Sequence, residues 1–107
     1  MPEADLISRL ERILFESQAM LAAASDGRWD DLIEQEAARR DSIVEATHTL
    51  APLSDQGLIE RKQALIRQIL VADEQIKTLT QAWMGELQGV LTSVQAERKL
   101  ARAYETG

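Results

Sequence analysis

Glu45 and His48 stand three residues apart in a segment of helical spacing, an arrangement that puts two metal ligands on one helical face in di-iron bundles. Such a centre takes a second Glu-x-x-His pair from another helix, and His48 is the only histidine in the chain. The pair becomes a metal site only where two chains meet symmetrically. A lone helix-end histidine that complements the negative end of the helix dipole is the simpler reading. Cysteine is absent, which excludes a disulfide framework and thiolate ligation and is compatible with an intracellular protein. No nucleophile stands beside a base at a telling spacing, and no glycine-rich phosphate loop follows a strand. The residues assign no catalysis, no metal and no cofactor.

The remaining chemistry is that of surfaces. A net charge of -6 argues against a nucleic-acid footprint, which needs clustered Lys and Arg to displace counterions. The charge is uneven: residues 1 to 54 carry five basic and eleven acidic side chains, residues 55 to 107 seven of each. Acid is densest around Asp26, Asp30, Asp31, Glu34 and Glu36, and a basic cluster of Arg98, Lys99 and Arg102 lies near the C-terminus. No apolar run is long enough to span a bilayer, and Met1 to Asp5 is too acidic to open a secretory signal, so the expected location is the cytoplasm, with no stable membrane insertion.

The elements that carry these surfaces are helices. Ala, Leu, Glu, Gln and Arg dominate, with five glycines and two prolines in 107 residues, so the expectation is one all-α domain, a small bundle. Helix one is predicted from Ala4 to Ala24 and buries Leu6, Leu10, Ile13, Leu14, Met20 and Leu21, with Glu3 and Asp5 at the positive end of its dipole. Ser25-Asp26-Gly27 breaks the period, Gly27 being suited to a left-handed helix end and the acidic residues to the next helix start. Helix two is predicted from Trp29 to Leu50, burying Trp29, Leu32, Ile33, Ile43, Val44 and Leu50, with Trp29 anchoring the hairpin. Its polar middle holds Glu36 and Arg40 at salt-bridge spacing. Pro52 then ends the helical bias, and Ser54 or Asp55 can cap the third helix.

From Ser54 toward Arg98 the apolar positions Leu58, Leu65, Ile66, Ile69, Leu70, Ile76, Leu79, Trp83, Leu87, Val90, Leu91 and Val94 recur at steps of three and four. A helix of this length spans about 60 Å, twice the reach of either preceding helix at 1.5 Å per residue. About half of its stripe is left uncovered, and Ile76, Leu79, Trp83, Leu87, Val90, Leu91 and Val94 are the candidate partner-binding residues. Gly85 and Gly89 fall opposite Trp83 and Leu87, marking a bend, a close contact, or an exposed back face that tolerates small residues. After Val94 a polar run precedes Leu100, Ala103 and Tyr104, so residues 1 to 95 read as bundle and 96 to 107 as a mobile tail. No Gly or Pro decides whether that tail continues helix three or folds back as a fourth helix.

Trp29-Asp30-Asp31-Leu32-Ile33-x-x-Glu36, after its small-residue turn, resembles the FliT family of flagellar type III export chaperones. A second block, Leu65-Ile66-Arg67-Gln68-Ile69-Leu70-x-x-Asp73-Glu74-x-Ile76-Lys77-x-Leu79, leads to Met84-x-Glu86-Leu87 and ends at Ala103-Tyr104, in that family's order. The resemblance spans nearly the whole chain. It implies a cytosolic chaperone that binds the C-terminal helical region of the filament-capping protein, keeps it unassembled and delivers it to the export apparatus, whose gate or ATPase components are further partners. Docking at the export gate maps onto Leu100 and Tyr104. Binding of a flagellar master transcription regulator, a property of some relatives, is not carried over, because this chain stops three residues after Tyr104. A client helix would lie along the uncovered stripe as a helix lies in a groove, and the tail would compete for that stripe when no client is present. The alternative is a homodimeric helical adaptor or structural bundle, in which helix three of a second copy covers the stripe and no client is needed.

Overall fold

A computed structural model describes residues 2 to 49 and 53 to 105, and the side chains of residues 4 to 49 and 53 to 104. Three helices and no strand occur among them: α1 (Pro2–Ser25), α2 (Trp29–His48) and α3 (Gln56–Glu105). The roles expected of Glu3, Leu50, Ala51 and Pro52 lie outside the described side chains. The chain divides into two compact units, residues 1 to 77 and 78 to 107.

In the first unit, α1 and α2 form a hairpin whose turn is set by one glycine. Gly27 has φ of 72°, a left-handed backbone that costs glycine nothing. Its N–H donates to the Ala24 carbonyl at 3.2 Å, and that of Arg28 to the Ala23 carbonyl at 2.8 Å. These two bonds are a Schellman termination and satisfy carbonyls that the helix end leaves open. The acidic residues do not cap α2: Arg28 occupies the cap position with no side-chain hydrogen bond there. Its guanidinium instead bridges Asp31 at 3.0 Å and Asp26 at 3.4 Å. Asp55 caps α3 as expected, its Oδ1 accepting the Leu58 N–H at 3.0 Å.

The core gathers Leu6, Ile7, Leu10 and Ile13 from α1, Ala46 from α2 and Leu65 from α3, with Leu14, Leu53, Leu58 and Ile69 packed against it. The α1 stripe is therefore the one its spacing predicts. The α2 stripe is not: Ile33, Ile43 and Val44 are exposed and Trp29 is half-buried, whereas Leu32 and Ala46 are buried. Leu32, Arg39 and Ala46 fall at steps of seven, two helical turns, and so share one face. Arg39 sits between the two buried apolar residues and hides the pattern.

Arg39 links all three helices. Its Nη1 donates to Ser17 Oγ of α1 at 3.0 Å and to the Asp73 carboxylate of α3. Ser17, with no solvent exposure, in turn donates to the Ile13 carbonyl at 2.7 Å. A charge in a dry interface needs such partners, and here they also fix the register of α3 on the hairpin. Along α3, Leu65, Ala72 and Ile76 are buried, with Leu58 and Ile69 half-buried, while Ile66 and Leu70 turn outward. From Leu65 onward the buried and half-buried set, 65, 69, 72 and 76, alternates steps of four and three, a seam narrow enough to leave Ile66 and Leu70 outside it.

The second unit is the C-terminal part of α3. Leu79 and Trp83 are half-buried, and every described residue from Met84 to Tyr104 is exposed. Helix α3 runs unbroken through Gln95 to Lys99 to Glu105, so the tail continues the helix and does not fold back. Gln, Ala, Glu, Arg and Lys are all good helix formers, and nothing in that run stops propagation. A Cβ built at Gly85 or at Gly89 meets no atom within 4 Å, so neither glycine marks a close contact.

Candidate partner-binding surfaces

Of the seven residues expected to bind a partner, Leu87, Val90, Leu91 and Val94 are exposed, joined by Met84. At 100° per residue Leu87, Val90, Leu91 and Val94 share one face of the helix, and Met84 lies on it one turn earlier. Leu79 and Trp83 are half-buried, and Ile76 is buried within the first unit. The exposed stripe thus begins at Met84. Large apolar side chains on one face of a helix are held in water at a cost of about 25 cal/mol per Å² of apolar surface, so covering them is favourable. Leu100 and Tyr104 are also exposed, Tyr104 at 80 %. Arg98, Lys99 and Arg102 line a shallow hollow with Gln95 in the same region.

A second surface, in the first unit, is one that apolar spacing does not reveal. Between α2 and α3 lies an apolar crevice of about 220 Å³, open to solvent. Leu6, Leu10 and Ile13 line it from α1, Ile43, Ala46 and Thr47 from α2, and Lys62, Ile66, Ile69 and Leu70 from α3. Thr47 Oγ1 donates to the Ile43 carbonyl at 2.9 Å, so this polar side chain spends its hydroxyl on its own helix. Spacing assigns Ile43, Ile66 and Leu70 to the core, and they instead form the lip. The signal that points to it is an excess of large aliphatics on α2 and α3 over what a three-helix seam can bury.

Polar groups at these surfaces serve structure. Glu45 pairs with Arg9 of α1 at 2.9 Å and is thereby engaged, while His48 is exposed at the end of α2. Among the described residues no group of three or more His, Cys, Asp or Glu side chains converges as a metal site would require. Glu36 accepts from Arg40 at 2.6 Å on the exposed face of α2. That hydrogen bond, with the Glu36 charge behind it, raises the Arg40 guanidinium above its ordinary pKa. No described helix is long and apolar enough to cross a membrane.

Comparison with known proteins finds flagellar relatives over most of the chain. Over 88 residues the chain is 28% identical to a flagellar protein FliT of Enterobacter sp. (strain 638), covering 82% of this chain and 73% of that protein. The flagellar protein FliT of Photorhabdus laumondii is 28% identical over 101 residues, 94% of this chain and 81% of that one. An Escherichia coli flagellar protein FliT is 26% identical over 95 residues, 88% of this chain and 78% of its own length. The family model described as Flagellar protein FliT matches residues 7 to 106, and the chain belongs to that flagellar family.

Proposed function

We propose that this chain is a cytoplasmic export chaperone that holds a C-terminal helix of the flagellar filament-capping protein until the export apparatus receives it. The observation that carries the reading is the uncovered stripe of Leu87, Val90, Leu91 and Val94 on α3. A single helix that presents four large aliphatics on one face suits an amphipathic client helix, which buries its own apolar face in the same contact. Shielding that client face prevents it from assembling early. Membership of the flagellar family supports the system in which the client is sought. Leu100 and Tyr104, exposed beyond the stripe, are left available to dock the loaded chaperone on export-gate or ATPase components.

The test is titration with a peptide of the capping protein's C-terminal helix. Leu87→Asp with Val90→Asp abolishes binding while helical circular dichroism is retained, because a buried unpaired carboxylate at an interface centre is not tolerated. Unchanged affinity in that double variant overturns the reading. Self-association through the same stripe that outcompetes the peptide replaces it with the homodimeric bundle.

A further inference from the structure

The apolar crevice of the first unit carries one charge, and no described residue answers it. Its floor is Leu6, Leu10 and Ile13, all buried, and its open side is rimmed by the exposed Ile43, Ile66 and Leu70. Thr47 and Lys62 are the polar residues of the lining, and the Thr47 hydroxyl is spent on its own helix. Lys62 is half-buried, its aliphatic stem lying along apolar neighbours while the ammonium reaches for water. Three and four residues away on α3, where an acid on the same helix would have to stand, are Leu58, Ile59, Leu65 and Ile66. Among the described residues no ion pair engages the Lys62 ammonium. Lys62 opens the share of the lining that α3 provides, and Leu70 closes it about 12 Å further along the helix.

We propose that the crevice binds a medium-chain aliphatic carboxylate, a free fatty acid of about eight or nine carbons, with its tail on the apolar floor and its head on the Lys62 ammonium. The length follows from the volume. A dry apolar cavity of about 150 Å³ holds benzene, with six carbons, so about 220 Å³ of similar lining holds half as many again. That is smaller than the hollows of about 300 Å³ and more that take drug-sized ligands. An unbranched tail fills such a space without setting polar backbone against its walls, as a peptide would. The charge selects the head group. A carboxylate gives the lone ammonium a charge-assisted partner at the edge of an apolar surface, whereas a neutral or cationic head leaves it unanswered. The site uses residues of the first unit only, so it does not depend on the client reading of the α3 stripe.

Methyl-detected NMR titration of the full chain with hexanoate, octanoate and dodecanoate tests the proposal, with 1-octanol as the same tail without the charge. Octanoate shifts the methyls of Leu10, Ile13, Ile43 and Ile66 saturably and leaves those of Leu87, Val90 and Leu91 in place. Affinity rises about threefold per methylene from hexanoate to octanoate, a little under the roughly fourfold of full burial, and levels off before dodecanoate, whose end protrudes into water. 1-Octanol binds about threefold to fivefold more weakly than octanoate. Lys62→Met abolishes that difference without loosening octanol, and Lys62→Glu turns the preference to octylammonium. A substitution that merely disturbed the fold would weaken all of these ligands alike. The proposal is overturned by the absence of a saturable shift, by shifts centred on the α3 stripe, or by equal affinity for octanol and octanoate. It is overturned equally by a gain that continues undiminished to dodecanoate, or by one-for-one displacement of octanoate by the capping peptide, which would give the crevice to a helix.

Discussion

Removing Asp73 should cost more than removing the arginine it pairs with, and the reason is which partner is left in the dry. The Arg39 side chain is 13% exposed and that of Asp73 is 39% exposed. Asp73→Ala strands a guanidinium between helices with only the Ser17 hydroxyl for company. Fully buried pairs cost about 3 to 5 kcal/mol when broken in this way, and partial hydration of the site puts the expected loss near the lower bound, about 3 kcal/mol. Arg39→Met removes the buried charge itself, keeps most of the aliphatic packing and lets Asp73 hydrate. Ser17 retains its bond to the Ile13 carbonyl. The expected loss is about 1 kcal/mol. The double variant removes both charges and should resemble Arg39→Met, so the second substitution rescues the first. Thermal unfolding in a Trp83→Phe background, followed by Trp29 fluorescence, reads the first unit alone. At about 4 to 8 °C per kcal/mol the midpoint drops by about 12 °C or more for Asp73→Ala and by half that or less for the other two. Asp73→Ala no costlier than Arg39→Met, or a double variant worse than Asp73→Ala, refutes the reasoning.

The backbone and the tail carry further expectations. Gly27→Ala forces a side chain into a left-handed conformation and should lower stability by about 1 kcal/mol in urea titration. Gly85→Ala and Gly89→Ala fill open space and should each stabilise the helix by about 0.5 to 1 kcal/mol, seen as higher helicity of residues 78 to 105 on heating. Deleting residues 96 to 107 should leave capping-peptide affinity within about twofold, because a tail continuous with α3 is not an internal competitor; a gain of about tenfold would show that it folds back in solution.

Much of this is legible in the residues, and the exceptions share a cause. Periodicity finds α1 because its buried face is made of large aliphatics, and Gly27 and Asp55 announce the helix ends because their types have backbone reasons to be there. On α2 the same reasoning chooses Ile33 and Val44, since it ranks positions by apolar size. The face that packs is held by Leu32, Ala46 and a polar clasp, whose partners Ser17 and Asp73 lie 22 and 34 residues away from Arg39 and leave no local pattern. The apolar crevice is illegible for a related reason: an aliphatic at a lip and one in a core read alike in one dimension. The stripe beyond Met84 is legible, because a helix longer than its neighbours must run out of cover.

That bare length of helix has an energetic consequence for exchange. Amides near Leu65 and Ala72 open only when the first unit unfolds, whereas those from Met84 to Tyr104 are guarded by helix–coil equilibrium alone, in a segment where two glycines each cost about 1 kcal/mol. Hydrogen exchange along α3 should therefore fall from globally protected to nearly unprotected within a few turns of Trp83. Whatever covers the stripe must first suppress that fluctuation, and the ordering cost is subtracted from its affinity. Slowed exchange between residues 84 and 94 would then register a bound helix even when no side chain moves.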